Sequence, residues 1–401
     1  MTGPQDIRRQ GDSRGRRAVV SGAGIAGLAT ALRLHRSGWE VLVVERAPGR
    51  RSGGYLVNLL GYGYDAAERM GVLPALAARD IGFFTSVIVA ADGRARITVP
   101  AEVARAALAK RALSLFRSDI EAVLFEAVHA AVEIRFGTTV RAIDQAADGV
   151  EITLSDGTRE HADLLVGADG LHSGVREIGF GPKADHLVDL RHMVGAFPLS
   201  RVPEAVPDGS STTFIGLGRT AAVINVGPER SSAFFTYRTG DPAGELAQGS
   251  AAALSATFGD LGGSVPDALE QLRNDPGAVY FDSVSQIVMD RWSSGRVVLL
   301  GDAAWCVTPF AGYGAALALA GAGRLGDALD EHGDDVPAAL TAWESGLRPE
   351  IRKRQALARR GASQFAPPTR VHLWMNDLML RAMQLPVARK MVQRSVERAN
   401  A

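Results

Sequence analysis

The sequence predicts an α/β protein. One domain is built on a doubly wound, mostly parallel sheet, a second on an antiparallel sheet, and a long helix closes the chain. Three observations predict it. Residues 18–46 read as strand, glycine turn, helix, strand. From about residue 185 to 285 the texture becomes alternating and strand-like, as in "STTFIGLG", "TAAVINVG" and "SAFFTYRT". "GRVVLLGDAAW" then restores a buried-strand texture, and a helical stretch follows.

Taken in order, Ala18–Ser21 is the first expected strand. Ile25, Leu28, Ala29, Ala31 and Leu32 recur at helical spacing up to Ser37, and Gly38 closes that helix. "WEVLVVER" is a near-continuous apolar strand of the buried parallel kind. "DAAERMGVLPAL" predicts a helix stopping near Pro74, and "TSVIVAADGRARITV" a hairpin turning at Asp92-Gly93. "SDIEAVLFEAVHAA" predicts an amphipathic helix capped by Ser118. Several short strands follow, with turns at Asp148-Gly149 and Asp156-Gly157. "GYGAALALAGAGRLGDAL" predicts a helix. So does the end of the chain, kinked or split at Pro386 and expected to bridge the two domains. The expected division is a disordered lead-in over 1–16, a nucleotide-binding domain over 17–72, 103–184 and 286–365, a substrate domain over 73–102 and 185–285, and a helical segment over 366–401.

Composition sets limits on function. The chain has 401 residues, enough for two cores, and is 46% hydrophobic and 22% charged. Basic and acidic residues number 44 each, so no bulk charge draws the chain to nucleic acid or to a membrane surface. No apolar run approaches the ~20 residues of a membrane span. The single cysteine, Cys306, leaves no internal disulfide and fits a reducing cytoplasm. The eight histidines form no metal-ligand spacing. Monomer and homodimer both remain open.

Gly22-Ala23-Gly24-Ile25-Ala26-Gly27 carries the first chemical signal. In such a turn the first glycine permits a tight bend, the second lets backbone approach a pyrophosphate, and the third lets the helix pack against its strand. The helix N-terminus offers N–H donors to phosphate. Glu45 stands at the end of the second strand, where a ribose hydroxyl would lie. The turn therefore predicts a Rossmann-like domain, without choosing between NAD and FAD. Two later stretches choose: Asp169-Gly170 after one apolar strand, and Gly301-Asp302 after another, followed by Pro309, Gly312 and Gly314.

In these three ordered motifs the chain resembles the FAD-dependent group A flavoprotein monooxygenases, the aromatic-hydroxylase type. The resemblance runs from about Ala18 to Leu325. It implies a para-hydroxybenzoate-hydroxylase-like architecture: a Rossmann-like FAD-binding domain, an antiparallel-sheet substrate domain and a long C-terminal helix. It implies that Gly22, Gly24, Ala26, Gly27, Glu45 and Arg46 hold the ADP half of FAD, and that Arg117 lies against the cofactor. Asp169 would support the pyrophosphate region and the path of NAD(P)H, a transient co-substrate. Asp302 would bind a ribitol hydroxyl, with Pro309, Gly312 and Gly314 beside the isoalloxazine. In "GRRSGGYLVNL", Arg51, Gly53 and Gly54 would lie near the flavin.

The chain departs from many relatives at Trp305, Tyr313, Ala316 and Gly321, where they carry His, Gln, Asn and an acid. Trp305, Phe310 and Tyr313 thereby become candidates for an apolar, aromatic substrate pocket, and no protein group is identified as catalytic. The implied reaction is hydroxylation of a hydrophobic aromatic or polyketide-like molecule by NAD(P)H and O2 through a flavin C4a-hydroperoxide. Epoxidation, Baeyer–Villiger insertion and a non-redox, flavin-containing cyclase are the alternatives on the same fold.

Overall fold

A computed structural model describes residues 15–50, 55–107, 111–227 and 230–382. The first half runs β1 (Arg17–Ser21), α1 (Ile25–Arg36), β2 (Glu40–Glu45), β3 (Leu56–Leu60), α2 (Tyr62–Arg69), α3 (Leu73–Ala77), β4 (Thr85–Val89), β5 (Ala95–Val99), α4 (Ala101–Ala107), β6 (Ala112–Phe116), α5 (Arg117–Val128), β7 (Glu133–Phe136), β8 (Val140–Gln145), β9 (Val150–Leu154), β10 (Arg159–Ala162), β11 (Leu164–Gly167) and α6 (Gly174–Phe180). The second half runs β12 (Leu187–Leu199), β13 (Ser210–Gly216), β14 (Arg219–Asn225), β15 (Ser231–Arg238), α7 (Pro242–Gln248), α8 (Ser250–Phe258), α9 (Val265–Asn274), β16 (Tyr280–Ile287), β17 (Ser293–Ser294), β18 (Val297–Leu299), α10 (Asp302–Trp305), α11 (Gly314–His332), α12 (Val336–Phe365) and α13 (Arg370–Ala382).

The first sheet has the order β17-β18-β11-β1-β2-β7 and is parallel except at its β17 edge. Its central strand, β1, is buried between β11 and β2, which explains the unbroken apolar runs there. The second sheet has the order β16-β12-β15-β14-β13-β4-β5. It is antiparallel except where β4 joins β13 in parallel. Alternation divides its faces. Met193, Phe197, Val223, Phe235 and Tyr237 pack with Leu254, Phe258 and Leu269 of α8 and α9. Val194, Val284 and Phe234 face the other way and meet Phe310, Ala362 and Phe365. The crevice between the two sheets therefore opens on this second face.

Long helix α12 fastens the loop after α10. Gln355 Nε2 donates to the Ile287 and Trp305 carbonyls at 2.7 and 3.3 Å, and Gln286 Nε2 to the Val307 and Gln355 carbonyls at 3.2 and 3.0 Å. No helix among the described residues is long and apolar enough to cross a membrane.

Several sequence expectations shift. The helix expected to stop at Pro74 is two pieces. Gly71, at φ 62°, ends the first, and Pro74 sits in the first turn of the second. Helix α5 starts at Arg117, because the Arg117 N–H is satisfied by the Tyr55 carbonyl. Ser118 thus lies inside the helix rather than capping it. Helices α7–α9 interrupt what reads as continuous strand texture. Asp241, whose carboxylate accepts from Gly244 N at 2.9 Å ahead of Pro242, was the legible start signal. Helix α13 reaches the second sheet through an Arg96–Asp377 ion pair at 3.1 Å, while Pro386 lies outside the described residues.

His192 of β12 meets Phe310 edge-on at 5.5 Å, joining the second sheet to the loop before α11. Its Nε2 is buried without a partner among the described residues. Burial holds the imidazole below its ordinary value; Arg238 adds to the lowering, while Asp189 and the Leu190 carbonyl oppose it. The unfolded chain therefore takes up a proton at about pH 6.5 that the native chain refuses. Stability is full above that value and declines on acidification, by at most about 1.4 kcal/mol per pH unit. The urea midpoint should fall between about pH 7 and about pH 5 and fall less in His192→Phe.

Candidate dinucleotide and substrate crevice

The glycine turn is built by backbone contact. Gly22 has φ 108°, and its N–H donates to the Val44 carbonyl at 2.7 Å. A Cβ on Gly22 would lie 2.5 Å from the Ala168 carbonyl oxygen, and one on Gly27 would lie 1.8 Å from the Gly22 carbonyl oxygen. Glu45 braces the turn: its two carboxylate oxygens accept from Ala23 N and Ala47 N, each at 2.8 Å. An ionised carboxylate has about four acceptor positions, so two remain for a hydroxyl. Arg46 is exposed one residue further on. Helix α1 has no side-chain cap, which leaves its first N–H groups free for an anion.

The second and third motifs close on this turn. Ala168 and Asp169 pack on Gly22. A Cβ on Gly301 would come within 2.8 Å of the Ala26 Cβ, and one on Gly314 within 4.0 Å of Asp302 Oδ1. The Arg117 guanidinium lies 3.5 Å from where a Gly24 Cβ would be, and its Nη1 donates to Glu121 at 3.1 Å. Asp302 opens α10 with its side chain exposed to the crevice. The protein around it raises its carboxyl above the ordinary value by desolvation, against the attraction of Arg117.

Asp169 is engaged in the fold itself. Its carboxylate accepts from Ser173 Oγ and from Gly174 N and Val175 N, at 2.8 and 3.1 Å for the two amides, and so caps α6. Arg176, which the sequence reading did not single out, ties two motifs together. This fully buried guanidinium donates to the Ala303 and Leu171 carbonyls, both at 2.8 Å. His172 Nε2 meets Asp282 Oδ2 of β16 at 2.7 Å, linking the same loop to the second sheet.

The segment before α11 is strained. Thr308 has φ 93° and ψ 152°, a region almost reserved for glycine, and its buried Oγ1 has no partner among the described residues. Pro309 follows, Gly312 is left-handed at φ 64°, and Tyr313 precedes Gly314 without a side-chain cap. The α11 start therefore presents bare N–H groups and the positive end of a 19-residue helix to the crevice. An orphaned hydroxyl, an uncapped helix start and glycines at the walls suit a flat ring that carries negative charge when reduced.

The expected aromatic wall is redistributed. Trp305 is 1% exposed and lies in the core against Trp292 and Trp343, ring centroids 4.8 and 5.7 Å away. Large aromatic surface with two aromatic neighbours is better satisfied there than in a crevice. Phe310 stacks on Phe365 at 4.8 Å, and Tyr313 lies under the Arg354 guanidinium at 4.0 Å. Three further rings gather beside Phe310: the Tyr55 centroid lies 5.7 Å from that of Tyr280 and 6.5 Å from that of Phe234. Burial pushes the Tyr55 phenol up to about 12, against the opposing charge of Arg117. Arg51, Gly53 and Gly54 lie outside the described residues.

The model of a family described as an FAD binding domain matches residues 17–345. The flavin-dependent monooxygenase eupH of Phoma sp. is 31% identical over 371 residues, 85% of this chain and 86% of that protein. The FAD-dependent monooxygenase asL4 of Sarocladium schorii is 28% identical over 79% of this chain and 76% of its own. The crystal structure of the tetracycline destructase Tet(51) aligns with a TM-score of 0.82 at 26% identity, covering 96% of this chain and 98% of that one.

Replacing Glu45 by Gln keeps the size of the side chain but turns one acceptor into a donor facing a backbone N–H. The dissociation constant for FAD, read by titrating the apoprotein, should rise about ten- to hundredfold, equivalent to the 1–3 kcal/mol of an unsatisfied buried group.

Proposed function

The chain belongs to the FAD-dependent aromatic-hydroxylase family of flavoprotein monooxygenases and is itself an FAD-dependent monooxygenase, and from that premise we propose that it hydroxylates a hydrophobic, aromatic or polyketide-like small molecule with NAD(P)H and O2. Bound FAD would supply the redox chemistry, taking a hydride from NAD(P)H and passing one atom of O2 to an electron-rich carbon while the other leaves as water. The rest falls to the side chains and backbone of this crevice.

In this reading Gly22, Gly24, Ala26 and Gly27 bring backbone N–H groups to the pyrophosphate, and Glu45 gives its two unused acceptor positions to the ribose, with Arg46 alongside. Arg117 and Asp302 flank the middle of the cofactor. Asp169 acts indirectly: by capping α6 it holds the 169–171 loop against the Gly22 turn. Pro309, Gly312 and Gly314 border the ring, and the bare α11 N-terminus stabilises negative charge at its edge. Residues 17–72, 103–184 and 286–365 would form the FAD-binding part, and 73–102 with 185–285 the substrate part. Phe310 and Phe365 cover the crevice on one side and keep water from the reacting atoms.

One observation carries this reading: the close approach of Gly301 to the Ala26 methyl sets Asp302 and the start of α11 beside the Gly22 turn. Tyr55, Phe234 and Tyr280, gathered beside Phe310, support an aromatic substrate, and the likeness to a tetracycline destructase agrees with a multi-ring one. The purified protein should be yellow and should oxidise NAD(P)H faster when an aromatic substrate is present. Under labelled dioxygen, one labelled oxygen atom should appear in the product. Oxidation that leaves the organic molecule unaltered would refute the proposal.

A further inference from the structure

Strand register aligns five residues across the crevice face of the second sheet. Tyr280 of β16 pairs with Ala196 of β12, Ala196 with Phe234 of β15, Phe234 with Ala222 of β14, and Ala222 with Thr213 of β13. Adjacent strands are about 4.8 Å apart, so the row spans roughly 19 Å, and the part floored by Ala222, from Phe234 to Thr213, spans roughly 10 Å, close to the length of a three-ring fused system. Its members point away from the core beneath α8 and α9, which takes their odd-face neighbours Phe235 and Val223.

The sizes along the row shape a slot. Ala196 is 2% exposed and lies between Tyr280 and Phe234 in the row, whereas Ala222, Phe234 and Thr213 remain half-buried and Tyr280 is 38% exposed. Ala222 thus forms an open floor, with Phe234 and the overhanging Tyr55 ring on one side and Thr213 on the other. The polar groups available are neutral hydroxyls. Among the described residues, the charges on this face are Asp282, already bonded to His172, and Arg238. Arg238 is four residues beyond Phe234, about 13 Å along the strand.

We propose that this row is the specificity surface of the substrate site: a neutral slot floored by Ala222 that accepts a planar, uncharged multi-ring phenol and discriminates against ring carboxylates. The inference rests on the monooxygenase reading for its location but concerns binding alone. A carboxylate placed over Ala222 would lose hydration with Arg238 about 13 Å along the strand and with Arg117, beside Tyr55, already paired to Glu121, whereas an uncharged fused ring gains aromatic contact with Phe234 and Tyr55.

The test uses the FAD-loaded protein in its oxidised form, without NAD(P)H, and reads ligand binding from the change in flavin absorbance and fluorescence. The probes are dihydroxyanthraquinone, its carboxylic acid analogue and hydroxybenzoate. The neutral three-ring phenol should bind at least about tenfold more tightly than either acid. Ala222→Phe, which fills the floor, should weaken its binding by about tenfold or more while FAD stays bound, and Ala222→Val should do so to a smaller extent. Equal or tighter binding of the carboxylated analogue overturns the proposal, as does unchanged binding in both Ala222 variants. Because no turnover is involved, loss of oxygen transfer would count against the monooxygenase reading and leave this result standing.

Discussion

Everything in the crevice depends on the distance at which backbone meets backbone around Gly22. The Ala168 carbonyl sits where a Gly22 side chain would begin, the Gly22 carbonyl sits where a Gly27 side chain would begin, and Gly301 presses on the Ala26 methyl. These contacts set the spacing between β1, β11 and α1, and hence between the three motifs. Side chains then reinforce what the backbone has brought together. Glu45 ties the turn to the exit of β2, and Arg176 bridges the second motif to the third. A buried guanidinium is costly unless hydrogen-bonded, so its two carbonyl partners make the geometry of both loops interdependent.

The sequence was most legible where one strong periodicity or one steric demand acts alone. The strand–turn–helix around Gly22 and the parallel run at β2 follow from local pattern, and their positions hold to within a residue or so. The same holds for the Asp92-Gly93 hairpin, where Gly93 takes φ 87°. Legibility failed where tertiary partners decide. Ser118 is a good cap by type, but the Tyr55 carbonyl had already met the Arg117 amide and moved the helix start. Trp305 follows the third motif directly, yet the pull of two neighbouring tryptophans takes it into the core. Phe234 and Tyr280 are brought near each other by the register of β15, β12 and β16, and Tyr55 reaches them from the segment before β3, an encounter that no local pattern encodes.

The two faces of the second sheet are specialised by alternation. One is sealed by α8 and α9 and supplies rigidity; the other is left partly open and bears the rings and hydroxyls of the crevice. Phe310, His192 and Phe365 join that open face to the loop leading into α11, while Gln286 and Gln355 secure the same loop from α12. The strained Thr308 backbone is thus held by neighbours on three sides, as an unfavourable conformation must be if it is to persist.

The placement of β1 at the middle of its sheet has a consequence for biosynthesis. Its parallel neighbour β11 is about 150 positions downstream, and the Gly301 contact with Ala26 comes far later still. At ordinary translation speed the ribosome needs on the order of ten seconds to deliver β11. During that interval a strand whose centre, Ala18–Val20, is wholly apolar has one edge without a partner. Expression of this chain should therefore be governed by chaperone supply and elongation rate as much as by the stability of the finished molecule.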